Sequence, residues 1–349
     1  MTDLRTPPGP MRLLIVGGTG GTAIGQSLLR AAERIQVSAT QLDSAEAYRG
    51  AWLPRSLSWR VRGHRPFRLE EFSDLVRQRA LELSTRLVLA TGLAPVSEGA
   101  LRAIRAAGAQ TACYLTDDPW NPAHRAPWFF RALSEYDAVY TPRESNLGQL
   151  KAVCRGNVEY LPFGYDETLF FSDSEVPPDS GADLLFVGTC DSDRAPILGA
   201  LRQARIGLRV FGSYYDRWPA TRGLSEGQAD AATIRRATIE SKICLCLVRR
   251  SNRDGHVMRS LEMAACGACM LVEDTVDHRR FFGADGHCAR YFQGIDSMIA
   301  SIKALLDAPA ERARMRASVL SLLHRESHSY TARLQEIVRR ASAAAGPSP

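Results

Sequence analysis

The chain reads as an α/β protein made of two doubly wound, Rossmann-like domains in tandem. Three observations carry that reading. Short apolar runs alternate with stretches of helical period along most of the 349 residues. A strand that runs into a Gly turn and then a helix occurs twice, at RLLIVGGTGGTAIG (12–25) and at DLLFVGTCDSDR (183–194). Between the halves, FGYDETLFFSDSEVPPDSGAD (163–183) is rich in Ser, Asp and Pro and reads as a connection. At 45% hydrophobic, a chain of this length can bury two cores.

Taken in order, RLLIV is a buried parallel strand, because its apolar run is unbroken and bounded by Gly. GGTGGTAIG leads into the amphipathic helix SLLRAAERI (27–35). Strands follow at RLVLA (86–90), QTACYL (110–115), YDAVY (136–140) and VEYL (158–161), with helical patterns at 69–84, 96–108 and 142–154. The second half repeats the theme with strands at LRVFG (208–212), KICLCLV (242–248), ACMLVE (268–273) and CARYF (288–292), then helices from 297 to about 340. The expected boundaries are a disordered start at 1–10, a first domain at 11–165, a linker at 166–182, a second domain at 183–340 with the closing helices, and a disordered tail at 341–349. Ligands of open parallel sheets sit beyond the carboxyl ends of the strands, so two such domains are expected to face one another across a shared cleft.

Composition narrows the partners. The formal charge is +6, and Lys occurs only at Lys151, Lys242 and Lys303, so the basic residues are almost all Arg. A guanidinium fork grips oxyanions at two points, which suits phosphate; a coding bias toward Arg explains the same count. No dense basic run interleaved with aromatics is present, which argues against nucleic acid. MTDLRTPPGP lacks the apolar core of a signal peptide, and no stretch is apolar for long enough to span a bilayer. Of the eight cysteines, Cys266 and Cys269 match C-x-x-C but have no second pair or His at metal spacing. Reduced core thiols in a cytoplasmic protein, with no bound metal, are the expectation.

Two segments can carry chemistry. Gly17, Gly18, Gly20 and Gly21 follow a strand and open a helix, where bare backbone and free N–H groups can cradle an anion. With Asp43 after the second strand, the loop resembles a dinucleotide fingerprint, although Ala23 stands where a third Gly belongs. A nicotinamide dinucleotide, another phosphate-bearing ligand and a plain tight turn all remain open on this loop alone. In SNRDGHVMRSLEMAACGACMLVED (251–274), Asp254 is a suitable N-cap for a helix from about His256 to Cys266, closed by Gly267. Its leading end carries Arg249, Arg250, Arg253 and Arg259, a setting for a diphosphate. Glu262 lies one turn beyond Arg259 and can accept two hydrogen bonds from a vicinal diol such as a ribose. The alternative is an intrahelical Arg259–Glu262 ion pair of about 0.3–0.5 kcal/mol.

These stretches resemble the CgeB-like, spore maturation protein type of glycosyltransferase, which has the GT-B fold. The likeness runs through 183–201, LRVFGSYYDRW (208–218), NRDGHVMRSLEMAACGACMLVEDTVDHRRFF (252–282) and HSYTARLQEIV (328–338), and through 136–151 and 158–170 in the first half. It implies a retaining, metal-independent transferase of hexosyl type that uses a nucleotide-diphosphate sugar as co-substrate and needs no cofactor. The second domain would bind the donor and the first an unidentified acceptor. Carried over residue by residue, Glu262 is the ribose-binding acid and Arg194 the diphosphate-binding base after Gly188. With that donor, Arg253, Gly255, His256 and Arg259 at the helix start are expected around the phosphates, and the loop at Gly17, Gly18, Gly20 and Gly21 would face them from the other domain.

Two positions depart from the pattern: Thr189 stands where a second basic residue is usual, and Gly255 where the family's first sugar-binding acid belongs. Tyr214 or Tyr215 could wall the base, although core packing accounts for either. Asp117, Asp118 and His124, just after a strand, are the candidates for deprotonating an acceptor hydroxyl, and turn capping accounts for the two acids as well. A non-catalytic binding protein of the same shape, an NAD(P)-dependent oxidoreductase and an epimerase-like activity are the competing readings.

Overall fold

The computed structural model describes residues 11–50 and 63–344. The chain divides into two compact units, one running to Pro162 and resuming at Tyr330, the other Phe163–Ser329.

The first unit comprises β1 (Arg12–Gly17), α1 (Ile24–Arg34), β2 (Ser38–Asp43), α2 (Leu69–Glu82), β3 (Leu87–Thr91), α3 (Glu98–Ala106), β4 (Gln110–Tyr114), α4 (Pro127–Leu133), β5 (Ala138–Thr141), α5 (Leu147–Val153) and β6 (Asn157–Tyr160). Among the described residues its strands form one parallel sheet in the order β2-β1-β3-β4-β5-β6. β1 thus has later strands on both sides, and the chain reverses its winding there, the point where open sheets gather ligands. The run Leu13–Val16 and all of β3 are buried, as strands covered by helices on both faces must be.

The second unit comprises β7 (Leu184–Val187), α6 (Arg194–Gln203), β8 (Leu208–Phe211), α7 (Ala231–Glu240), β9 (Ile243–Cys246), α8 (Met258–Ala265), β10 (Met270–Glu273), α9 (Val276–Phe282), β11 (Ala289–Phe292), α10 (Ile295–Leu306) and α11 (Pro309–Arg325). Its parallel sheet runs β11-β10-β9-β7-β8 and reverses at β7. One face packs Ile234, Leu261 and Phe281 from α7, α8 and α9; the other packs Leu198 and Ile302 from α6 and α10.

Three expectations change. The last helix, α12 (Tyr330–Ala344), belongs to the first unit, where it packs on α1 and where Arg333 Nε donates to Pro162 O at 2.9 Å. The stretch read as a linker is a strap bound to the second unit. Phe170 is in the core, Arg235 Nη1 donates to Leu169 O at 3.0 Å, and Asp179 pairs with Arg312 and Arg316 at 2.6 and 2.8 Å. Polar composition misled because two buried arginines, not apolar contacts, hold its far end. Third, residues 341–344 complete α12; the expected disorder at 1–10 and 345–349 lies outside the described residues.

The short aromatic helix α4 carried no readable period. The eight cysteines are free, and among the described residues no helix is long and apolar enough to cross a membrane.

Candidate functional site

In the first unit the Gly loop is shaped by close backbone approach. A Cβ on Gly17 would lie 2.1 Å from Thr91 Oγ1 at the end of β3, so only Gly fits between these strand ends. Gly20 and Gly21 take φ of 80° and 51°, with no described atom near the place of a Cβ. Gln41 Nε2 holds Gly18 O at 2.8 Å, and no side chain caps α1. An open loop ending in uncapped N–H groups can accept an anion. Asp43 does not turn both oxygens outward, as a ribose ligand needs. Oδ2 accepts from Thr19 Oγ1 and Oδ1 from Ala45 N, each at 3.0 Å.

Beyond β4, Asp118 is 1% exposed and accepts from Trp120 N at 3.2 Å, the geometry of a turn cap. His124 Nε2 lies 3.0 Å from Asp118 O, so it carries the proton, and Nδ1 is the ring atom able to take another. Of the acceptor-side candidates, Asp117 and His124 are partly exposed and Asp118 is buried.

In the second unit Arg194 opens α6 and is 6% exposed. Nη1 donates to Thr189 O and Nη2 to Leu247 O, both at 2.9 Å, which ties the turn after β7 to the end of β9. Nε has no hydrogen-bond partner. The guanidinium expected at a diphosphate is thus occupied by carbonyls, and burial lowers its pKa. Gly188 O accepts from Tyr215 OH at 2.8 Å and lies 2.0 Å from the place of a Cβ on Gly212. Tyr215 is therefore a packing residue. Tyr214 is 53% exposed, sits at φ 71°, and has the Arg217 guanidinium 3.8 Å from its ring centroid. Tyr214 is therefore not a core residue.

α8 begins at Met258, two residues later than expected, with Val257 rather than Asp254 at its cap position and no side-chain cap. The delay has a cause. Arg253 takes φ 54°, and the loop behind it is pinned from β10–α9. Thr275 Oγ1 donates to Gly255 O at 2.5 Å, and a Cβ on Gly255 would lie 2.4 Å from Asp277 Oδ2. The acid missing at 255 has no room, because the Asp277 carboxylate fills that space.

Asp277 Oδ2 is 2.9 Å from His256 Nδ1, and His256 Nε2 accepts from Phe163 N at 3.1 Å. Nδ1 therefore bears the proton, and His256 is a buried staple for the strap rather than an open ligand. His278 behaves alike, Nδ1 on Glu273 O and Nε2 on Ser260 Oγ at 2.8 Å each. The sequence reading missed Asp277, Thr275 and His278; its one signal was a polar cluster, EDTVDH, directly after a strand.

Glu262 is 2% exposed. Its Oε2 lies 2.6 Å from Arg259 Nη1, yet neither atom is in hydrogen-bond geometry with any partner. Burial raises the Glu262 pKa; Arg259 opposes this and Asp166 adds to it. The salt-bridge alternative is thus realised, but inside the protein. There a lost partner costs far more than at a surface. Arg253 and Gly255 stand in the loop leading to this helix. The Gly loop, Asp118 and His124 belong to the first unit. A cavity of about 420 Å³ lined by Asp193, Arg250, Glu273 and Gly294 takes in one residue of the expected diphosphate setting, Arg250, whose Nη2 donates to Glu273 Oε1 at 2.9 Å.

Two parallel sheets of this topology are those of GT-B glycosyltransferases. Sucrose-phosphate synthase from Thermosynechococcus elongatus superposes with a TM-score of 0.68 at 12% identity, covering 96% of this chain and 100% of that one. A glycosyltransferase from Rickettsia africae gives 0.66 at 10%, over 97% and 100%. Anabaena HepE in complex with UDP-glucose gives 0.65 at 13%, over 95% and 100%. More particularly, residues 194–339 match the model of a family described as glycosyl transferase-like. No curated protein sequence matches the chain.

Proposed function

We propose that the protein transfers a hexosyl group from a nucleotide-diphosphate sugar to an acceptor hydroxyl, with retention of configuration and without a metal, as a CgeB-like glycosyltransferase. One observation carries this reading: a buried carboxylate, Glu262, whose Oε2 has no hydrogen-bond partner, one turn inside a helix whose first N–H groups no side chain caps. The two hydroxyls of a ribose would supply the donors that oxygen lacks. The glycosyl transferase-like match over 194–339, which contains Glu262, supports it. So does HepE, a protein of the same fold in complex with UDP-glucose.

In the reaction the bond from the anomeric carbon to the β-phosphate oxygen breaks, and a bond to the acceptor oxygen forms. Negative charge grows on the departing diphosphate, and the task is to neutralise it. Arg253, Arg259 and the leading end of α8 are assigned that role, with the exposed Tyr214 ring stacking the base. Arg194 acts one step back, by holding the turns after β7 and β9 in place. The acceptor's proton is assigned to His124 Nδ1.

A thermal-shift series with UDP-, GDP-, TDP- and ADP-sugars tests the reading. One donor raises the melting temperature by ligand linkage, and Glu262→Ala weakens its binding at least tenfold, about 1.4 kcal/mol. Undiminished affinity in a folded Glu262→Ala protein would remove the ribose role. A second reading, donor binding without transfer, is favoured by Thr189, by Gly255 and by the occupied Arg194 guanidinium. It predicts the same melting shift with no release of nucleoside diphosphate.

A further inference from the structure

We propose that Arg259 is an exchange cation: it neutralises Glu262 while the site is empty and passes to the donor's diphosphate when a ribose takes the carboxylate. This rests on the donor-site reading above and adds a specificity rule to it. Nucleoside diphosphates are admitted and bare nucleosides are turned away.

The empty-state contact is close but poorly made. Arg259 Nη1 and Glu262 Oε2 are 2.6 Å apart, and both lack a hydrogen bond. A pair kept for stability alone would align its N–H with the oxygen. The two members also differ in access. The Arg259 side chain keeps 18% of its exposure and Glu262 only 3%, so the cation can leave and the acid cannot. Arg259 is the second residue of α8, on the uncapped turn where an anion is best placed, and Glu262 is one turn further in. The guanidinium lies 5.7 Å from the Phe170 ring centroid, a soft contact that permits rotation.

Energetics set the rule. Pulling the cation away from a buried carboxylate is costly unless something replaces it. A nucleoside diphosphate replaces it twice, with diol hydrogen bonds for Glu262 and phosphate oxygens for Arg259. A nucleoside offers only the first and strands the cation. The charged or titratable groups that face Glu262 are Arg259, Asp166 on the strap, Cys246 on β9 and Cys266 after α8. Arg259 is the cation among them that lowers the Glu262 pKa. In Arg259→Gln that pull is gone, and the pH below which diphosphate binding fades moves upward.

Calorimetric titration of the full chain with UDP, GDP and ADP, and with uridine, guanosine and adenosine, tests the exchange. The wild-type protein is expected to bind one diphosphate and to discriminate against its nucleoside by about a hundredfold or more. Arg259→Gln narrows that ratio at least tenfold, from both sides: the diphosphate binds more weakly and the nucleoside more tightly. Tighter nucleoside binding is the decisive reading, because loss of an ordinary phosphate contact leaves the nucleoside unchanged; Arg253→Gln is the comparison for that behaviour.

If Arg259→Gln does not fold, Arg259→Lys keeps the charge but not the fork, and narrows the ratio about threefold or more. An unaltered ratio in the folded variant overturns the exchange and leaves the donor site standing. A wild-type protein that binds none of these diphosphates, nor TDP, overturns both.

Discussion

The first βα turn of each unit looks like the same element in sequence, and the two are built in opposite ways. After β1 the turn is made of backbone: Gly17 slots against Thr91, Gly20 and Gly21 leave room for a Cβ, and the polar contacts that shape it include Gln41 to Gly18 O, Thr19 to Asp43 and Arg30 to Gly21 O. After β7 the turn is filled by a side chain, Arg194, which spans to β9. Strand, Gly and helix define where a ligand can sit; they do not define what meets it. The open turn offers an anion its backbone N–H groups. The filled turn fixes the rim on which the Arg-rich leading end of α8 is mounted.

The same contrast extends to acid sensitivity, and the largest expected effect follows from it. In the second unit burial holds the His278 pKa down to about 4 from 6.5, its ring nitrogens taken by Glu273 O and Ser260 Oγ. A depressed histidine pKa leaves stability intact above the unfolded value and erodes it as pH falls from 6.5 toward 4, because the unfolded chain takes up the proton first. Over that window the loss approaches about 3 kcal/mol. Urea unfolding followed at pH 7, 5.5 and 4.5 should show the loss, and His278→Gln should flatten it. Equal slopes in both proteins would mean that other groups govern the acid limb.

Next in size is Arg194→Leu. Removing the guanidinium leaves Thr189 O and Leu247 O without their donors, at a cost of about 2 kcal/mol. The urea midpoint falls with an unchanged slope. Donor affinity falls as well, because the turns after β7 and β9 are no longer tied. A variant with reduced donor affinity and undiminished stability would place Arg194 on the ligand instead. Gly17→Ala is the counterpart in the first unit. Its Cβ meets Thr91 Oγ1, and overpacking of this kind costs about 1–2 kcal/mol. Gly17→Ala combined with Thr91→Ser should not recover it, since the hydroxyl stays. Thr91→Ala should.

Most of the fold was legible because it follows from periodicity: buried strands are continuous apolar runs, and every strand expected in the second half is present. What was not legible depends on single long-range polar contacts. Nothing near Asp179 signals that Arg312 and Arg316 will fasten the strap, and nothing near Tyr330 signals that α12 returns to α1. The site divides the same way. Glu262 and Arg259 were found from spacing on one helix. Asp277, which excludes a side chain at 255 and orients His256, lies about twenty residues away and emerges only from packing. Asp254 is not the cap because the cap position falls three residues later, at Val257, after a turn that Thr275 fastens at Gly255 O.

The smallest effect is the sharpest test of the contrast between the two turns. Thr19 donates to Asp43 at the solvent edge of the glycine loop. Since both groups can exchange that bond for water, Thr19→Ala should cost less than about 0.5 kcal/mol in unfolding free energy. If the open turn works by backbone alone, the variant also keeps its affinity for inorganic phosphate, because no N–H group has been touched. If affinity drops tenfold while stability holds, the Thr19 hydroxyl itself reaches the ligand. The first turn would then resemble the second in meeting its partner with a side chain.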